Sequence, residues 1–425
     1  MFQGGGNIPL IAPVAGELVR RGHTVRVLAG PGIRRNRIPL GQGFVQRMRD
    51  AGCEVRPLSV PETHPFDSEE APRGMTRRWV PEAFVREARE AHTTLWSSCW
   101  ATNSTSEIER YGPDVLVADY MLLGALAAAE ARRLPSVALA HTVPPPLAGS
   151  PMPPQSQGFL PAASVEEEEK YRKWRRIIRR TWIREGLGPH NRTRTGLALE
   201  PLPEPRAQFG SCARVLMLAS RNFDFPGELP ANTRYVGTPI DDLNAVGTWS
   251  PPWSADDKRP LLLISLSTLA QGQAQVLDRC IQAAGDLPLR VLVTLGPSLK
   301  REDFESSGNT VFESFVPHSA VLPHVSAVVT QCGLGTLTKT LRQGVPVICI
   351  PLLGDQPDNA ARVEAKGAGI RLSPDATVTA IRSAIQEVIS QAKYRERAQE
   401  LSRLIAEDGT TGAANEIEAV ASGLP

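Results

Sequence analysis

Charge of one sign is largely missing from this sequence: 47 Lys and Arg stand against 45 Asp and Glu, a formal net charge of +2. That field is too weak to hold a polyanion, so nucleic acid is not an expected partner. Long apolar runs are missing too. None could span a bilayer, and membrane association is not expected. Charges break every apolar stretch of "LVRRGHTVRVLAGPG" near the start, which therefore lacks a signal-peptide layout. Cysteine is sparse: Cys53, Cys99, Cys212, Cys280, Cys332 and Cys349 lie far apart, without metal-ligand spacing. A chain of 425 residues needs no disulfide framework. The thiols are expected to be reduced, mostly buried and cytoplasmic. The seven histidines are scattered, so no zinc site is expected.

What is present is an ordinary globular composition, 41% hydrophobic and 22% charged. The length exceeds one core and points to two domains. "IPLIAPVAGELVRRG" has helical spacing and stops at Gly22. "TVRVLAGP" is a short β-branched strand, "PDVLVADY" another, "LLGALAAAEARRL" a helix and "PSVALAHT" a further strand. This alternation predicts βαβ units and a parallel sheet. Residues 144–161 read as a Pro-rich loop. In "VEEEEKYRKWRRIIRRTWIREG", Tyr171, Trp174, Ile178 and Trp182 share a helical face opposite Arg and Lys. Packing on its own domain is the plain reading. A lid over an apolar acceptor, or a membrane-surface helix, is the sharper one.

A second alternating series follows the linker-like "GTWSPPWSADDKRP". It runs "LLLISLST", "AQVLDRCIQAAG", "LRVLVTLG", "TVFESF", "AVVTQ", "TLTKTLRQG", "VPVICIP" and "DNAARVEAKG", with a helical C-terminus. The expected organisation is an N-terminal domain over 1–240, a linker over 241–259 and a C-terminal domain over 260–425. The last helix is expected to pack back on the N-terminal domain. The fold class is α/β, with two doubly wound parallel-sheet domains.

In such sheets ligands sit beyond the carboxyl ends of the strands. Four strands of the second series end in polar chemistry: at Ser267 and Thr268, at "VPHS", at Gln331–Thr336, and at Asp355–Gln356. Gly333 and Gly335 let a ligand approach the backbone. A helix beginning near Thr336 offers free N–H groups and a partial positive charge to a diphosphate. Thr336 adds a hydroxyl. The plain alternative is a glycine turn with Thr336 as an ordinary cap, because short glycine motifs are weak. Asp355 and Gln356 together supply donors and acceptors suited to a sugar ring. Their plain reading is a polar loop, with Asp358 capping the next helix. Diphosphate at one strand end and sugar at the next suggest a nucleotide sugar.

"GLGTLTKTLRQGVPVICIPLLGDQPDNAARVEAKGAG" resembles the signature of the bacterial family-1 glycosyltransferases, the GT-B enzymes that decorate macrolides and other natural products. "FVPHSAVLPHVSAVVT" is similar to that family's nucleobase segment. "VLMLASRNFDFPGELPANTRYVGTPIDD" is similar to the end of its N-terminal domain, and "GGGNIPLIAPVAGELVRRGHTVRVLAGP" to its first loop and helix. The resemblance covers most of the chain. It implies that Val316 touches the nucleobase through its backbone. Thr268, Gly335 and Thr336 would hold the diphosphate, and Asp355 and Gln356 the sugar. The acceptor would bind the N-terminal domain. The implied activity is inverting, metal-independent transfer of a sugar from UDP or dTDP to a small apolar acceptor, with no cofactor beyond that co-substrate. A non-catalytic partner of another transferase and a nucleotide-sugar epimerase are the alternatives. Monomer and homodimer both stay open.

The sequence departs from the family at three points. The family's base, a histidine after the first glycine loop, is here Asn7, and an amide is no base at neutral pH. Asp119 matches the aspartate that orients that histidine, so the expected catalytic positions are Asp119 and Asn7. Asn7 is read as a helix cap, as an acceptor-orienting group whose proton goes to Asp119 or water, or as the mark of an inactive relative. The second histidine, at the head of the signature, is Gln331, which still donates a hydrogen bond but carries no charge. Finally, only Met1, Phe2 and Gln3 precede the glycine loop, where the family has a strand. The sheet is then one strand short, with exposed edges, or the true start lies upstream.

Overall fold

A computed structural model describes residues 8–29, 40–59, 97–143, 149, 151–240, 249–266, 272–296, 299–305 and 308–424. Asn7, Thr268 and residues 241–248 of the expected linker lie outside the described residues.

The C-terminal sheet is built from β7 (Leu261–Ser265), β8 (Arg290–Thr294), β9 (Thr310–Glu313), β10 (Ala327–Thr330), β11 (Val347–Cys349) and β12 (Gly369–Arg371), the seventh to twelfth strands in chain order. Its six strands are parallel and ordered β12-β11-β10-β7-β8-β9. All residues of β7, β10 and β11 are buried. That is why these segments read as unbroken apolar runs: helices cover both faces of such a sheet. Leu262, Ile264, Val291, Val293 and Ile385 pack on one face, and Leu261, Leu263, Leu292 and Val328 on the other. The strand order reverses between β7 and β10. Such a switch point splits the loops apart and opens a crevice at the carboxyl ends.

The N-terminal strands are β1 (Arg26–Ala29), β2 (Glu54–Pro57), β3 (Leu116–Asp119), β4 (Ser136–Ala140), β5 (Arg214–Met217) and β6 (Thr233–Tyr235). Among the described residues they form two sheets, a parallel pair β1-β2 and a parallel four, β3-β4-β5-β6. The helix Ile8–Arg20 precedes β1 and is buried along Ile8, Leu10, Ile11, Val14 and Leu18. The basic helix Val165–Trp182 buries Tyr171, Ile178 and Trp182. Tyr171 also donates to the Leu160 carbonyl (2.8 Å) and stacks on Phe159. Its apolar stripe is thus packed within the chain, as the plain reading of its periodicity has it.

The two halves are tied by buried polar contacts. Arg362, 1% exposed, donates through Nε (2.7 Å) and Nη2 (2.5 Å) to Asp224. Tyr235 donates to the other Asp224 oxygen (2.5 Å), and Phe225 lies under the guanidinium. Asp358, a helix cap only in the plain alternative for this loop, accepts from the backbone N–H groups of Ser156 and Gly158. Burial pushes its carboxyl up to about 7 even so. The last helix, Gly409–Ala421, packs on Ile8–Arg20, β4 and β5. Arg214 and Arg21 pair there with Glu416 (3.1 Å) and Glu418 (2.6 Å).

Candidate active site

The segment after β10 turns sharply. Cys332 takes a positive φ of 70°, unusual for a residue with a side chain. Asn359 holds it there, donating to the Cys332 carbonyl and to the Asp355 carboxylate, both at 2.9 Å. One amide thus fixes two loops that end neighbouring strands. The helix that follows runs Leu334–Arg342, starting two residues before the expected Thr336. Gly333 sits at its cap and offers no side chain to it. Leu337 is the first amide to close onto Gly333, at 3.0 Å. The amides of Leu334, Gly335 and Thr336 come earlier and have no partner within the helix.

The glycines here are not demanded by the fold. Gly333 has φ of −60°, and an added Cβ would meet only Gln331 Nε2 at 3.5 Å. At Gly335 it would meet only Leu10 of the N-terminal half, at 3.9 Å. Both are ordinary van der Waals separations. The two glycines put no side chain beside the free amides of this turn, which suits an anion. Thr336 is half-buried within this first turn. Gln331 is buried beside it, its Oε1 accepting from Thr330 Oγ1 at 3.3 Å.

Asp355 is half-buried at the mouth of the next helix, Gln356–Ala365. Burial raises its pKa, countered in part by Asn359 and His141. Gln356 also serves the loop before its helix. Only 4% exposed, it accepts from Leu352 N–H (2.8 Å) and Leu353 N–H (3.0 Å). Both lone pairs of its oxygen are thereby engaged in bracing the loop, so any contact with a sugar hydroxyl falls to its amide group as donor. Val316 is 2% exposed in the core with Val321 and Leu322, which leaves only its backbone for a ligand.

On the opposite side, Asp119 ends β3 and is 1% exposed. Its Oδ1 accepts from Met121 N–H at 3.0 Å, and its Oδ2 lies 3.3 Å from Nε2 of His141. The Tyr120 ring meets His141 edge-on. Burial alone would hold the imidazole pKa down. The Asp119 carboxylate outweighs this, helped by Asp355 and by the backbone carbonyl of His141, so the pKa ends above its ordinary value. The charge of Asp355, on the far half, therefore reaches the Asp119–His141 pair.

Residues 211–410 match the family described as UDP-glucoronosyl and UDP-glucosyl transferase, and residues 5–186 match a glycosyl transferase 4-like domain. A 4'-demethylrebeccamycin synthase of Lentzea aerocolonigenes is 27% identical over 98% of this chain and 97% of its own. The solved glycosyltransferase of kitacinnamycin superposes with a TM-score of 0.71 at 20% identity, over 98% of this chain and 96% of its own. The glycosyltransferase VinC, solved in complex with dTDP, gives 0.69 at 19% identity, over 100% and 98%. The chain is a GT-B glycosyltransferase. The matches support the transferase and not the silent partner or the epimerase.

In this glycosyltransferase the expected residues Gln331, Gly333, Gly335, Thr336 and Asp355 follow the neighbouring strands β10 and β11, and Asp119 ends β3 of the N-terminal half. Sequence reasoning missed His141. The signal was available: β4 pairs in parallel with β3, with Leu139 opposite Asp119. His141, the residue just past the end of β4, therefore shares a rim with Asp119. Asn359, Arg362 and Asp224 were missed as well. Each of these acts on a partner far away in sequence, where local spacing carries no signal.

Proposed function

We propose that the protein transfers a sugar from a nucleoside diphosphate to a small, apolar natural-product acceptor, inverting the anomeric centre without a metal ion. The observation that carries this reading is the uncapped start of the helix Leu334–Arg342, just beyond the β7/β10 switch point. There, Gly333 and Gly335 put no side chain beside the free amides. The diphosphate sits against those amides and the Thr336 hydroxyl. Their fixed dipoles stabilise the charge that grows on the leaving β-phosphate oxygen, with no reorganisation at the moment of bond breaking. Asp355 accepts from sugar hydroxyls, and the Val316 backbone borders the base. Thr268 joins the phosphate site on the family resemblance. The relatives named for rebeccamycin and kitacinnamycin support a natural-product acceptor, and VinC with dTDP supports a pyrimidine diphosphate donor.

The sugar donor is the only co-substrate in this reading, and no cofactor is required. Among the described residues no helix is long and apolar enough to cross a membrane. The cysteines are free, five of them buried, which supports a reducing, cytoplasmic setting.

The test is transfer itself. Purified protein is incubated with UDP- and dTDP-sugars and a panel of phenolic, alcoholic and indolic acceptors, with and without chelator. Mass spectrometry reads the product, and proton couplings at the anomeric carbon read inversion. Glycoside formed equally with chelator present is the expected result. The absence of both transfer and nucleoside-diphosphate binding would overturn the reading.

A further inference from the structure

We infer that His141, on the end of β4, is the general base that takes the acceptor's proton, with Asp119 as its orienting partner, in place of a base from the first loop. The inference rests on the transferase reading and adds the group that the sequence lacked. Family resemblance puts the base at Asn7, and an amide cannot accept that proton. The parallel pairing of β3 and β4 supplies another imidazole beside the same aspartate, 3.3 Å away. His141 Nε2 is fully buried against Asp119, while the side chain as a whole stays 18% exposed. The exposed part therefore belongs to the remainder of the side chain, away from the Asp119 contact.

The chemistry balances. In the neutral ring, Nε2–H points to Asp119 and Nδ1 carries the lone pair. Nδ1 takes the acceptor's O–H or N–H proton while the acceptor heteroatom bonds to the anomeric carbon. The anomeric carbon–oxygen bond breaks, and its electron pair leaves on the nucleoside diphosphate. The resulting imidazolium faces Asp119 on its own sheet, Asp355 on the opposite half and its own backbone carbonyl, all of which favour the added proton. Tyr120, packed against the ring, stays protonated because burial and Asp119 raise its pKa, so it adds no charge. The same three acceptors place the working pKa above the ordinary imidazole value of about 6.5. The base is active only when neutral, so transfer rises with pH through that raised pKa.

The experiment measures kcat and kcat/KM against pH for the wild type, His141→Gln and Asp119→Asn, using one alcohol and one phenol acceptor. Nucleoside-diphosphate affinity is measured by calorimetry as a folding and donor-site control. His141→Gln is expected to lower kcat by about 10²–10⁴-fold on the alcohol, and less on the phenol. Diphosphate affinity should hold, and the rising acid limb should vanish. In Asp119→Asn, loss of the anion should move that limb to lower pH, which tests the pair even where His141→Gln fails to fold. Wild-type turnover in a folded His141→Gln variant, or an acid limb that stays put in Asp119→Asn, would overturn the inference while transfer stands. If the wild type forms no glycoside, the transferase reading fails, and this inference with it.

Discussion

In the proposed reaction the two halves of the molecule recognise their ligands by different means. The C-terminal half is one six-stranded sheet whose ligand groups lie in a near-continuous stretch, Gln331 to Asn359, and are largely backbone amides, glycines and loop braces. Among the described residues the N-terminal half is a pair and a four of strands, and its chemistry sits in two side chains, Asp119 and His141. A donor has a constant part, the diphosphate, and backbone groups held by a fixed turn bind it whatever the sugar. An acceptor's hydroxyl or amine must lose a proton, and that needs titratable side chains tuned by burial and charge. The difference separates binding from chemistry, and each side can be broken without the other.

The largest expected effect lies on the chemistry side. Asp119→Asn keeps the shape and the Met121 contact but removes the anion beside His141. Turnover should fall by about 10²–10⁴-fold near neutral pH, the range typical of general-base catalysis. Diphosphate affinity should stay within about twofold, because Asp119 belongs to the other half. Equal losses of turnover and affinity would collapse the distinction between the halves.

The seam between them gives the next effect. Arg362→Met leaves Asp224 buried, with only Tyr235 and a backbone amide as donors. Breaking one side of a buried pair costs about 3–5 kcal/mol. Denaturant or thermal unfolding should show that loss, and Asp224→Asn added to Arg362→Met should recover part of it. A loss under about 1 kcal/mol would mean that the pair is hydrated and the halves are held by apolar packing alone.

These contrasts also explain what could be read from the chain. Parallel strands buried on both faces announce themselves as apolar runs, so the doubly wound architecture was legible from β7, β10 and β11. The donor rim was legible because its turn, helix and loop follow one another in order. The composition of Gln356 suits a sugar, while its bracing of the loop, through its oxygen to Leu352 and Leu353, shows only in three dimensions. His141 stayed hidden because its meaning comes from a neighbouring strand 22 residues earlier, through a register that only pairing reveals. A helix cap for Asp358 was the plain alternative because caps are local, whereas it reaches the backbone of Ser156 and Gly158.

Asp355 lies where the comparison is most easily sharpened, since it belongs to the donor half yet faces His141. Asp355→Ala should lower kcat/KM by about 30–100-fold, or roughly 2–3 kcal/mol for hydrogen bonds to a charged group. Affinity for the bare nucleoside diphosphate should barely change, because the carboxylate meets only the sugar. The variant also removes an anion near the imidazole, so the acid limb of the pH profile should move slightly to lower pH. Loss of diphosphate affinity to the same degree would instead assign Asp355 to holding the Asn359-braced loop.

The smallest effect tests the backbone side. Thr336→Val keeps volume and branching in the first turn of Leu334–Arg342 but removes the hydroxyl. If that hydroxyl donates to the diphosphate, affinity should fall by about 1.5–2 kcal/mol, roughly 10–30-fold, at the lower end for a hydrogen bond to a charged group. The amides of Leu334, Gly335 and Thr336 remain, which is why the loss stays modest. The Thr340 hydroxyl bonds to the Thr336 carbonyl and not to its side chain, so the helix itself should be undisturbed. The pH profile should keep its shape, since no titrating group is touched. Unchanged affinity by calorimetry would remove Thr336 from the site and leave the anion to the amides alone. A shifted acid limb would show instead that the donor half reaches into proton transfer, and the separation of binding from chemistry would no longer describe the molecule.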